Sequence, residues 1–226
     1  IVDQIDALSQ SLTNDRTHLN MMMAVLSSLN NWPNVRAVVS CRKYDLEYDS
    51  VLNSLKDKST VIEIGELAEE EVTIALNKLE NGLGKKIDRV TAKMLRTVQM
   101  LDSFSLLFRR NKSKINFNNQ IELYDALWDT VICDSSPRSD VEMREHLMYK
   151  IVETIQIAGT LNPQFTPDSS QKRAYEYLAS NGLIRREGSA VSFFHQSFYE
   201  YALARHYSET GSLFSSDLKK EIQGLE

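Results

Sequence analysis

Two aspartates, an arginine and a histidine are the residues of this chain best placed to do chemistry. Asp3 follows the apolar pair Ile1-Val2, which reads as the stub of a strand, and Asp6 stands three residues on. A carboxylate at the carboxyl end of a buried strand lies where ligands of open α/β sheets gather. There it can hold a magnesium ion, directly or through water, and a second acid can orient an attacking water. Arg42 ends a second β-branched run, Val35-Arg36-Ala37-Val38-Val39-Ser40-Cys41. A guanidinium at that neighbouring strand tip suits bidentate pairing with a phosphate. His195 lies between Phe193-Phe194 and a helical pattern, and a helix N-terminus favours a nearby anion. Each residue also has a plainer reading, as a loop acid, a surface arginine or a satisfied structural histidine.

The elements that must carry these residues change character along the chain. Residues 1–65 alternate short strands with helical stretches. Ile1-Val2, Val35–Val39 and Thr60-Val61-Ile62-Glu63-Ile64 are the strands, and Leu19–Leu29 is a helix. Strands separated by helices predict a parallel sheet. After Gly65 the period becomes helical over Glu66–Leu79, Asp88–Met100, Ser103–Arg110, Gln120–Cys133, Asp140–Ile157 and Thr166–Ser180. Two apolar runs, Leu183–Arg186 and Ala190–Phe194, flank Glu187-Gly188-Ser189 and predict a hairpin, followed by a helix over Gln196–Tyr207. A helix, a glycine break and a two-stranded wing have the form of a winged helix. The expected fold class is therefore α/β followed by mostly α, with a partial parallel sheet.

Composition narrows the field. The 226 residues carry 42% hydrophobic and 25% charged residues, ordinary globular values, and a net charge of −5. No apolar run approaches the ~20 residues of a membrane span. Asp3 and Asp6 stand where the basic segment of a signal peptide would lie, so a soluble, cytoplasmic protein is expected. Cys41 and Cys133 are too few for a disulfide scaffold, and the four histidines have no metal-ligand spacing. The acidic balance disfavours nucleic acid as a partner. Residues 81–114 nevertheless carry nine bases against two acids, which reads as a solvated helix face or as a surface for phosphate or an acidic partner.

In chain order, these segments resemble a known family. Ile1-Val2-Asp3-Gln4-Ile5-Asp6-Ala7-Leu8 resembles the Walker B segment of the STAND class of P-loop ATPases, which includes NACHT and NB-ARC proteins. Val38–Arg42 is similar to their sensor 1 strand, Ile121–Trp128 to the helix opening their winged-helix domain, and Phe193–Arg205 to that domain's end. The resemblance implies three successive parts: 1–65 as the rear of a nucleotide-binding domain, 66–118 as a helical domain, and 119–212 as a winged helix. Residues 213–226 would be a tail or the start of a further domain.

The same resemblance makes Asp3 the magnesium ligand, Asp6 the hydrolysis-linked acid, Arg42 the γ-phosphate sensor and His195 the contact to the β-phosphate of ADP. ATP, ADP and Mg2+ would be cofactors of an intact parent protein. That parent would be closed with ADP, open and homo-oligomeric with ATP, and would signal, defence being one such role. Its missing N-terminal part would be a partner of this chain. No Gly-x-x-x-x-Gly-Lys-[Ser/Thr] occurs in these residues, so ATP hydrolysis by this chain alone is not expected. Ala7 stands where many relatives carry a further acid, and Met100–Phe104 lacks the proline many place against adenine.

Two rival readings come from the same residues. A winged-helix DNA-binding regulator would use Lys172, Arg173, Arg185 and Arg186 against phosphates. An origin-recognition or helicase-loader AAA protein also suits Asp3–Leu8, although the Phe193–Tyr201 ending favours the signalling class.

Overall fold

The computed structural model describes residues 1–3, 5–8, 16–134 and 137–210. Gln4 of the Walker B-like segment and the expected tail, residues 213–226, lie outside the described residues. The chain divides into two units, Ile1–Gly65 and a second beginning at Glu66.

Among its described residues the first unit holds three α-helices, α1 (Thr17–Ser28), α2 (Lys43–Tyr48) and α3 (Ser50–Asn53). Asp49 starts α3 by accepting hydrogen bonds from the backbone of Val51 and Leu52, which satisfies two amides left open at a helix start. The expected parallel sheet is not formed. Among the described residues its only trace is one parallel bridge, Val2 to Val39. Val2 donates to Val38 and accepts from Ser40, at 2.8 and 2.9 Å. Thr60–Ile64 is not a strand and makes no backbone hydrogen bond among the described residues. The reason is physical. A β-branched run predisposes a segment to extend, but a strand exists only when a neighbour takes its amides and carbonyls. The core is correspondingly small: Ile5, Leu19 and Leu52 are fully buried, with Val39, Cys41 and Leu55 among the partly buried groups around them.

The second unit is helical. It comprises α4 (Glu69–Leu79), α5 (Arg89–Met94), α6 (Val98–Phe108), α7 (Gln120–Val131), α8 (Arg138–Ala158), α9 (Lys172–Ser180) and α10 (Gln196–Thr210). A hairpin of β1 (Ile184–Glu187) and β2 (Ala190–Phe193) precedes α10. Where sequence predicts one helix over Asp88–Met100, the chain breaks at Leu95–Thr97, because Thr97 is extended and opens α6. Local chemistry sets most boundaries. Asp88 caps α5 through the Thr91 amide at 2.7 Å, and Asn119 caps α7 through the Glu122 amide at 2.9 Å. Glu69, Glu70 and Glu71 crowd the first turn of α4, where the helix dipole favours acids.

The antiparallel hairpin pairs Ile184 with Phe193 and Glu187 with Ala190, turning at Gly188, whose φ of +63° suits glycine. A bridge from Gln164 to Ala190 adds a third extended segment. One continuous core joins these elements through Phe104, Leu123, Trp128, Leu147, Ile151 and Phe198. The fold class is thus corrected: the described residues are mostly helical, with a two-stranded antiparallel sheet and no parallel sheet of a P-loop domain. No helix among them is long and apolar enough to cross a membrane.

Candidate functional site

In the first unit the Val2–Val39 bridge sets two chain segments side by side, running in the same direction. Asp3 and Ser40 leave the bridge together, and the Ser40 hydroxyl donates to the Asp3 carboxylate. Ile5 then donates to the Ser40 carbonyl at 3.1 Å, which holds the turn carrying Asp6. Asp6 is 1% exposed. Its carboxylate accepts from the Arg42 backbone amide at 3.3 Å and lies 3.4 Å from the Arg42 Nε. The guanidinium is half-exposed, because one edge is fastened to Asp6 while the side chain reaches outward.

Three of the four sequence-predicted site residues therefore gather at one end of two parallel segments, with different duties. Asp3 is exposed and, among the described residues, shares its carboxylate only with a hydroxyl. Asp6 is an interior anchor for Arg42 rather than a group facing solvent. The pair Asp3 and Ser40 is an all-oxygen donor set. It fits a magnesium ion that draws its other ligands from water and phosphate, as such ions do. Among the described residues no cluster of three His, Cys, Asp or Glu side chains forms a protein cage for a metal.

His195 belongs to the second unit, at the residue before α10, and its carbonyl accepts from the Phe198 and Tyr199 amides. Its Nε2 lies 3.0 Å from the Asp102 carboxylate, contributed by α6. Asp102 is ninety-three positions away in the chain, and no local signal marks it as the partner. Burial lowers the pKa of His195 below its ordinary 6.5; Asp102 pulls it upward, and Arg185 pushes it down again. The ring is therefore neutral at pH 7. With a carboxylate as acceptor, Nε2 carries the proton and Nδ1 is left as an acceptor. The folded chain takes up its His195 proton at lower pH than the unfolded chain, so stability from this group is present above pH 6.5. It is lost as pH falls through the folded value. In a proton NMR titration His195 should titrate below 6.5, and Asp102→Asn should move it lower still. An upward shift in that variant would show that the carboxylate does not support the imidazolium.

Four of the nine bases in residues 81–114 are answered by acids. Lys86 and Lys112 both pair with Glu80, Arg96 with Glu66 and Lys114 with Glu122. These pairs hold Glu80 below the usual carboxylate range. Of the four bases that suit DNA, Arg173 pairs with Asp140 and Arg186 with Glu176, while Lys172 and Arg185 are exposed. Half of that positive surface is thus spent within the chain.

Both cysteines are free and partly buried. Burial, reinforced by Asp6 for Cys41 and by Glu145 for Cys133, pushes each thiol up to about 11, so neither is a nucleophile at neutral pH. A cavity of about 560 Å3 opens between α7 and α10, lined by Tyr124, Asp125, Ser197, Tyr201 and Arg205 among others. Several of its polar groups meet one another: Tyr201 donates to Asp125 at 2.6 Å, and the Tyr124 and Ser197 hydroxyls meet at 2.5 Å. Comparison of the chain with protein-family models, with curated proteins and with solved structures finds no match.

Proposed function

We propose that this chain is part of a cytoplasmic, nucleotide-dependent signalling switch, closed with ADP and open with ATP, that does not hydrolyse ATP by itself. The observation that supports this reading most is the Val2–Val39 pairing, with Asp3, Ser40 and Arg42 at one end of it. An exposed carboxylate, a hydroxyl and a half-free guanidinium are the groups a magnesium-bound phosphate needs. The chain's own residues then do simple work. Asp3 and Ser40 offer oxygens to the cation, Arg42 offers donors to phosphate, and buried Asp6 fixes the aim of Arg42. His195 is the response element of the second unit, its neutral ring held by Asp102.

Without a glycine-rich phosphate loop in these residues, the binding expected is weak, with Kd near ~1 mM. Calorimetric titration with ADP and magnesium tests the reading. Arg42→Ala should weaken binding about tenfold or more, since a hydrogen bond to a charged group is worth about 1.5–3 kcal/mol. ADP binding that is undetectable at ~10 mM ligand, some ten times the expected Kd, or that ignores Arg42→Ala, overturns the proposal. So does steady ATP turnover by this chain.

A further inference from the structure

The cavity between α7 and α10 takes no part in the nucleotide reading, and its walls share one chemistry. At about 560 Å3 it has the size that holds a small organic molecule, and it lies between helices, where such sites form. Two carboxylates face it, Asp125 from α7 and Glu200 from α10, against one base, Arg205. Arg205 is already engaged: its Nε lies 3.2 Å from the Glu209 carboxylate, and its guanidinium lies 4.9 Å from the Trp128 ring centre. The two acids keep free capacity. Among the described residues Asp125 meets Tyr201 and Arg205 through Oδ1 alone, and Glu200 accepts only from Gln196 of its own helix. Burial holds the Tyr124 and Tyr201 phenols above the usual tyrosine range, so neither adds a charge to the cavity.

The remaining walls are apolar. The Tyr124 and Tyr201 rings stand 5.5 Å apart, and a ring face attracts a cation within about 6 Å. Ile121, one helical turn before Asp125, lines the same cavity and is 63% exposed. These walls select among ligands. An anion, phosphate included, would meet two carboxylates and a base already taken. A wholly apolar molecule would strip water from Asp125 and Glu200 and return no partner, which is costly. A bare divalent cation wants more oxygens than two carboxylates supply and gains nothing from Ile121. A positive head on a hydrocarbon body suits every wall.

We propose that this cavity binds a primary aliphatic amine, its ammonium held by Asp125 and Glu200 and its chain laid against Ile121 and the tyrosine rings. The inference stands apart from nucleotide binding, because it uses neither Asp3, Arg42 nor His195.

Titration of the full chain with butylamine, followed through the methyl resonances of Ile121, tests it. A saturable shift is expected, with Kd near ~1 mM, within reach of so small a ligand. Methylamine lacks the chain and should bind about tenfold more weakly. Butanol lacks the charge and should leave the resonances unmoved at ~10 mM. Glu200→Gln and Asp125→Asn should each weaken butylamine about tenfold, since each removes a charge-assisted hydrogen bond. Both substitutions keep an acceptor for Gln196 or Tyr201, so helicity should not change. Glu187→Gln, on the exposed hairpin, controls for general attraction to an acidic chain and should have no effect. Ile121 methyls that do not move overturn the proposal. So does binding that ignores both cavity substitutions or falls equally with Glu187→Gln. Methylamine or butanol binding as tightly as butylamine overturns it too.

Discussion

Phe198→Ala should lower the unfolding free energy of the second unit by about 3–5 kcal/mol, the usual cost of emptying a buried aromatic site. Phe198 is fully buried at the hub of a ring cluster. Its ring centre lies 5.1 Å from Phe194, 5.2 Å from Tyr124, 5.6 Å from Tyr201 and 6.4 Å from Trp128. Those neighbours come from α7, α10 and the end of the hairpin, so none can move into the vacancy without dragging its own element. Phe198→Leu keeps most of the volume and should cost about 1.5 kcal/mol. Urea denaturation read by the emission of Trp128, which is fully buried, gives the comparison directly. A loss under about 1 kcal/mol for the alanine variant would mean that the cluster is not the core that holds these helices. The same residue lies within Phe193–Arg205, a segment read from sequence as a family signature. Its phenylalanines are spent on packing, while His195 and Tyr201 each hydrogen-bond an acid, Asp102 and Asp125.

Arg144→Ala is the second large expected effect, a loss of about 3 kcal/mol. The guanidinium of Arg144 is 3% exposed, an unusual place for a charge, and it survives there because three groups receive it. Its Nη2 meets the Asp134 carboxylate at 2.7 Å, its Nε donates to the Asp140 carbonyl at 3.2 Å, and its plane lies 4.3 Å from the Tyr177 ring centre. Tyr177 also donates its hydroxyl to Asp134 at 2.8 Å, so α8, α9 and the chain after α7 converge on one charge. Asp134 is 27% exposed and water can relieve it in part. That puts the loss at the lower end of the ~3–5 kcal/mol typical of breaking a buried pair. Arg144→Met retains the packed stem and should cost less, and Asp134→Asn with Arg144→Met should cost less than the two changes summed. Denaturation of the four chains would decide it. Strict additivity would show that the two residues act apart.

The helices were legible in the residues themselves. Asp88, Asn119 and the acids of Glu69–Glu71 announce starts, and Gly188 announces the hairpin turn, because caps and turns are bonds between neighbours in the chain. The placing of Asp3 and Arg42 at the ends of two adjacent segments was legible too, since Ile1-Val2 and Val35–Val39 end in the residues that follow the bridge. The sheet was not. Thr60–Ile64 has the composition of a strand and no backbone partner among the described residues, and pairing depends on a second segment that composition cannot supply.

The roles of the charged groups were decided by the tertiary structure alone. Asp6 reads as an acid for chemistry and is instead buried against Arg42. Asp102 reads as an ordinary helix acid and is instead the hydrogen-bond partner of His195. Arg144, in a helix whose exposed face is rich in charge, becomes an interior ion. A helix closes its hydrogen bonds over four residues, so local sequence determines it. The ionisation and exposure of a side chain depend on which distant groups displace its water, and only the folded chain specifies those.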